Sequence, residues 1–184
     1  MNHQAVYFAI ITCEAAFWVV LLMALAARYL WRRNQLSRTL LLALPVVDLL
    51  LLVFTAFDLR SGTTAGFAHG LATAYVGFTL AFGGIMVAWA DRRFVHRFAG
   101  GPAPPPPPDR GWPVVRYEFG LWLRSVVAWV ITLALLVALI AFVGDAEQTQ
   151  ALGQWFRFAF AGVILWFLFG PAWSLVFFRR EMTR

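Results

Sequence analysis

Five long apolar runs leave this chain few folds to choose from: Val6 to Ala27, Thr39 to Phe57, Ala65 to Trp89, Ser125 to Val143 and Gln154 to Phe177. A hydrocarbon layer about 30 Å thick is crossed by about 20 apolar residues of α-helix, because a helix rises about 1.5 Å per residue. Each run meets that length. Composition agrees, with 61% hydrophobic and 13% charged residues, whereas soluble domains average about 45 to 50% and about 25%. The predicted fold is all-α, a polytopic membrane helical bundle of five transmembrane helices, and the 184 residues are expected to hold no soluble domain.

Charge predicts the orientation. The clusters Arg28 to Arg38, Asp91 to Arg124 and Arg179 to Arg184 lie in alternate connections and hold 13 of the 15 basic residues. Basic loops stay on the cytoplasmic side, so the N-terminus is expected outside and the C-terminus inside. The other connections, Asp58 to Thr64 and Gly144 to Gly153, carry Asp58, Asp145 and Glu147 against Arg60. The formal net charge of +6 is spread over juxtamembrane patches beside Trp31, Phe94, Phe98, Trp112 and Trp122. That pattern points to a bilayer with anionic lipids at the cytoplasmic face and not to nucleic acid. The first run exceeds a signal-peptide core, has no basic residue before it and is followed by Arg28, Arg32 and Arg33. It is expected to be a retained span.

Two stretches of polar or turn-forming residues organise the chain further. Gly100 to Pro108 contains five successive prolines, Pro104 to Pro108, which favour an extended polyproline spacer and cannot continue a helix. The organisation expected is therefore a three-helix core over residues 1–99, a Pro-rich cytoplasmic linker over 100–111, and residues 112–184 as an interfacial segment followed by two further spans. Trp112 to Arg124 mixes aromatic and charged residues suited to the head-group layer. Ser125 to Val143 reads as lipid-facing scaffold, and Gly170-Pro171 predicts a kink in the last span.

The candidate site consists of polar residues in apolar surroundings: Glu14, Asp48 and His69, with Asp58, Tyr75 and Asp91 secondary. A carboxylate at the centre of a membrane helix costs about 2.5 to 3.5 kcal/mol on insertion scales, so it requires a partner, a cavity or a proton. Asp48 is too deep to reach either interface. Asp58, close to Arg60 and Gly62, is read as a helix-end or turn residue, Asp91 as an interfacial ion-pair partner, and Tyr75 as structural. The third span holds Gly66, Gly70, Gly77 and Ala81, small-xxx-small pairs that permit close helix approach. Convergence of Glu14, Asp48 and His69 in the outer half of the membrane is the expectation.

Three chemistries can use that set: exchange of a proton or cation, coordination of a metal, and specification of helix packing or of a membrane-protein partner. No HxxxH, ExxH or HExxH spacing supports a metal, and no nucleophile, Walker or dinucleotide motif supports an enzyme. The basic residues are all Arg, which excludes a Schiff-base lysine. His69 alone stands at membrane depth, so a bis-histidine haem has no ligand pair. Cys13 is the single cysteine, which rules out an internal disulfide. The sequence leaves the cofactor, and whether a metal binds, undetermined.

Cys13-Glu14, Pro45-Val46-Val47-Asp48, Asp58-Leu59 with Gly62, His69-Gly70-Leu71-Ala72 with Tyr75 and Gly77, Ala81-Phe82-Gly83 and Trp89-Ala90-Asp91 together resemble the YmcC-like small integral membrane proteins of bacteria. The resemblance runs through the first three spans. It implies a multi-pass protein of the bacterial plasma membrane and carries over no catalytic role. The function expected is small-solute or cation/proton transport or sensing through an intramembrane acid/His pocket. The alternative is a non-catalytic subunit or assembly partner of a larger membrane complex and, ranked below it, a metal-dependent membrane enzyme; the partners expected are another membrane protein or a second copy in a homo-oligomer.

Overall fold

A chain that enters hydrocarbon must satisfy its backbone hydrogen bonds within itself, and helices do so without a neighbour. In the computed structural model the described residues are 3–29, 31, 33–98, 100–108 and 111–176, excepting the side chains of residues 3–11, 13, 14, 17, 34, 94 and 98. They form five α-helices: α1 His3–Tyr29, α2 Asn34–Arg60, α3 Phe67–Phe98, α4 Trp112–Val143 and α5 Gln154–Phe167. A 3₁₀ turn, Gln150–Gly153, leads into α5, and a π-helical turn, Leu168–Ala172, extends it. Helices α2, α3 and α4, and the stretch Gln150–Val176, are each long and apolar enough to cross a membrane, and Trp18–Tyr29 is the described apolar part of α1.

The helices outlast the apolar runs. Those of 32 residues, α3 and α4, measure about 48 Å against a core of about 30 Å. Helix α3 thus carries Asp91, Arg92, Arg93 and Arg97 on its last turns, and α4 carries Trp112 to Arg124 on its first, continuous with the fourth span. Continuation is cheap there, because Pro113 falls in the first turn of α4, where its missing N–H is not needed, and no proline lies in the last turns of α3. Gly62 and Gly100 stop α2 and α3. Each has a positive φ, 107° and 67°, which only glycine adopts freely, and the Gly62 N–H donates to Leu59 O at 3.1 Å.

At Gly170-Pro171 the expected disruption takes the form of the π-helical turn. Proline brings no N–H, and the ladder widens so that the Trp173 N–H reaches back to Leu168 O.

The residues group into two compact units, Met1–Val76 with Thr132–Trp155, and Gly77–Ile131 with Phe156–Arg184. In the first, α1 packs along α2. The 61–66 and 144–149 connections meet there, Ala65 N–H donating to Gln148 O at 2.7 Å. Asp145 Oδ1 accepts from the N–H groups of Glu147 and Gln148 and shapes the second of them. Phe57 meets Phe142 edge-on at 5.8 Å, and the Arg60 guanidinium lies 4.7 Å over the same ring.

In the second unit an aromatic ladder joins α3, α4 and α5. Phe78 contacts Phe82 and Trp129, Phe82 stacks on Trp166 at 5.7 Å, and Trp122 meets Phe167 at 5.3 Å. The Trp122 Nε1–H donates to Val163 O at 3.1 Å. Lipid offers no hydrophobic drive between helices, so such contacts supply the packing energy.

The tightest packing is at Gly70, where an added Cβ would fall inside the Trp155 indole. Gly70→Ala is expected to destabilise the protein by about 1 to 3 kcal/mol, and Trp155→Ala in the same chain should recover part of that loss. Melting midpoints in mild detergent test both.

Candidate functional site

Helix α2 buries one stripe and turns the other to lipid. The buried residues are Ser37, Leu44, Asp48, Leu52, Thr55, Asp58 and Leu59, spaced by three and four as one helical face requires. Leu42, Val46, Leu49, Leu50, Val53 and Phe57 are exposed. Polar groups therefore face inward and hydrocarbon side chains outward, the arrangement a bilayer selects. Ser37 and Thr55 belong to this stripe and were not among the sequence candidates. Their signal was the spacing from Asp48, which apolar-run analysis does not register.

Hydroxyls and carboxylates differ in what a helix can do for them. A hydroxyl donates to a carbonyl of its own helix, as Thr73 Oγ1 does to Gly70 O and Ser125 Oγ to Trp122 O, both at 2.7 Å. A carboxylate has only acceptor atoms, and in mid-helix the backbone N–H groups are already engaged. Asp48 shows the consequence: it is 5% exposed and its Oδ2 has no hydrogen-bond partner among the described residues. The Ser37 hydroxyl is similarly buried without one.

Glu14 lies in α1, and its side chain is outside the described residues. Its level is given by the backbone. Glu14 precedes the end of α1 at Tyr29 by about 22 Å of helix and Asp48 follows the start of α2 at Asn34 by about 21 Å. Since α1 packs along α2 and a short connection reverses the chain, the two positions stand at the same level. His69 stands elsewhere, about 3 Å into α3. Asp48 is about 18 Å from the end of α2 that the 61–66 connection joins to α3.

His69 completes the start of its own helix. The Gly66 N–H donates to His69 Nδ1 at 2.9 Å, the reach-back of a residue in the third helical position to the capping residue. With Nδ1 accepting, the ring N–H is on Nε2. Asp58 serves the turn through its main-chain carbonyl, which accepts from Ser61 N–H and Oγ. Its side chain, however, is 2% exposed, because α2 runs to Arg60 and keeps Asp58 on the buried stripe. Tyr75 is exposed and Asp91 half-buried on α3. Among the described residues, no three His, Cys, Asp or Glu side chains gather to hold a metal ion.

His69→Ala should lose about 1 kcal/mol of stability with the cap, whereas His69→Gln, which can make the same reach-back bond, should melt close to the parent protein. Equal melting of all three forms would remove the capping role.

A protein of Bacillus subtilis (strain 168), the uncharacterized membrane protein YmcC, is 37% identical over 149 residues, which cover 81% of this chain and 80% of that relative. No family profile matches the chain, and no solved structure does. The shared identity extends well beyond the polar residues of the first three helices into most of both chains, and on that ground this multi-pass membrane protein belongs to the YmcC-like family.

Proposed function

We propose that Asp48 binds a proton or a small cation and that the protein acts in cation- or proton-coupled transport or in sensing across the membrane. The observation that carries this reading is the buried Asp48 carboxyl, with an oxygen that no donor reaches among the described residues. An uncompensated charge at that depth is costly, and a proton or a cation is what relieves it. The common level of Glu14 and Asp48 supports a site with two carboxyl groups, able to hold one charge between them. His69, bonded to Gly66, acts at the entrance of α3. A side chain kept for contact with another subunit would stand on the lipid-facing side of α2, and Asp48 stands on the opposite one.

Flux in reconstituted vesicles tests the proposal. Wild-type protein should conduct protons or monovalent cations above protein-free vesicles, Asp48→Asn should return flux to the protein-free level, and Glu14→Gln should reduce it. Asp48→Asn should melt no lower than wild type, because it removes a buried carboxyl that the fold leaves without a donor. Wild-type flux in Asp48→Asn, or none in the wild type, sinks the proposal.

The orientation belongs to the same reading. The basic ends of α3 and α4, with exposed Arg92, Arg93, Arg116 and Arg124, are proposed to face the cytoplasm and its anionic lipids. Arg93 packs 4.3 Å over Trp89, an anchor suited to the head-group layer. In a Cys13→Ala background, a membrane-impermeant maleimide should label Ser61→Cys in intact cells and Ala103→Cys only after permeabilisation. The reverse pattern refutes the orientation.

A further inference from the structure

We infer that the protein holds a second ligand site, independent of Asp48, in which Glu118 and Trp166 receive an organic ammonium group. The site is a groove of about 430 Å³ between α4 and the C-terminal part of α5, lined by Glu118, Gly162, Leu165, Trp166, Phe169 and Gly170. That volume lies within the range of about 300 to 1,000 Å³ typical of small-molecule sites.

The groove depends on absent side chains. A Cβ at Gly170 would stand 3.0 Å from Glu118 Oε2, and Gly162 lines the same groove. The π-helical turn at Leu168–Ala172 brings Gly170 to this wall, and such turns recur at functional sites. The aromatic wall is fixed from behind, since Trp166 stacks on Phe82 at 5.7 Å. Trp122, one helical turn beyond Glu118, ties α4 to α5 through Val163 O.

The chemistry follows from one carboxylate beside aromatic rings. No hydrogen bond or ion pair engages Glu118 among the described residues, and its helix has no free N–H to offer it. A cation satisfies the carboxylate by charge and the rings by cation–π attraction. An anion would be repelled, a neutral apolar guest would leave Glu118 unsatisfied, and a bare metal ion would find a single carboxylate where it needs several ligands. An ammonium group bearing carbon substituents suits both walls. Glu118 lies about 9 Å from the start of α4, on the helix end that also carries exposed Arg116 and Arg124, a level where an amine-bearing lipid head group and a free amine can both enter.

Melting of the full-length protein with two probes distinguishes these sources. Tetramethylammonium chloride is compared with sodium chloride at equal ionic strength, and phosphatidylethanolamine nanodiscs with phosphatidylglycerol nanodiscs. A saturable rise with tetramethylammonium assigns a free amine, and a rise confined to phosphatidylethanolamine assigns the lipid head group. In either case Glu118→Gln should weaken the response about tenfold or more, and Trp166→Leu about two- to fivefold. Gly170→Ala, which fills the groove without altering charge, should also weaken it and serves as the second variant if Glu118→Gln fails to fold. No response to either probe, or an unaltered response in the folded variants, overturns the inference.

Discussion

A helix in hydrocarbon can satisfy its own backbone and its own hydroxyls, but not its own carboxylates. Every other feature of this protein that bears on chemistry follows from that asymmetry. Thr73 and Ser125 give their protons to carbonyls three residues back and become nearly neutral in cost. Asp48 in mid-span, and Glu118 at the head-group end of α4, have nothing to give and no free backbone donor to take from. They are consequently the places where the fold requires something that the helix alone does not provide.

Where the two carboxylates sit decides what each can use. Asp48 is enclosed on the buried face of α2, in mid-span, with Leu44 and Leu52 above and below it on the same stripe. The ligand proposed for such surroundings is a proton or a small cation. Glu118 is half-buried beside a groove walled by Trp166 and Phe169, where a larger, carbon-bearing cation has room and aromatic surface. The acidic group is the same and the selectivity differs, because the neighbouring side chains set both the volume and the polarisability of the space.

Packing in both units joins a mainly aliphatic core to close approaches between glycine and indole. Gly70 admits Trp155 and Gly162 admits Trp129, while stacked and edge-on rings connect α3, α4 and α5. Between helices in lipid, close approach and ring contacts matter because transfer from lipid to protein interior gains little. The indoles also carry an N–H, and Trp122 uses it on Val163 O, so a ring that packs a helix pair also satisfies a carbonyl near the π-helical turn.

The sequence by itself determined the all-helical membrane fold, because length and hydropathy of a span are local properties and hydrocarbon allows a single chain segment only one way to satisfy its backbone. It singled out Asp48 for the same reason, since depth along a helix is counted in residues. It also marked Gly170-Pro171 as an interruption. Tertiary structure alone decided which side of each helix is buried, and so drew Ser37, Thr55 and the Asp58 side chain into the Asp48 stripe. It gave the His69 ring to Gly66, a bond that the apolar pattern around it does not announce. It likewise turned Glu118, in sequence one charge within an aromatic stretch, into the wall of a groove. Rotation about a helix axis and contact between distant segments depend on neighbours, and neighbours are absent from a one-dimensional pattern.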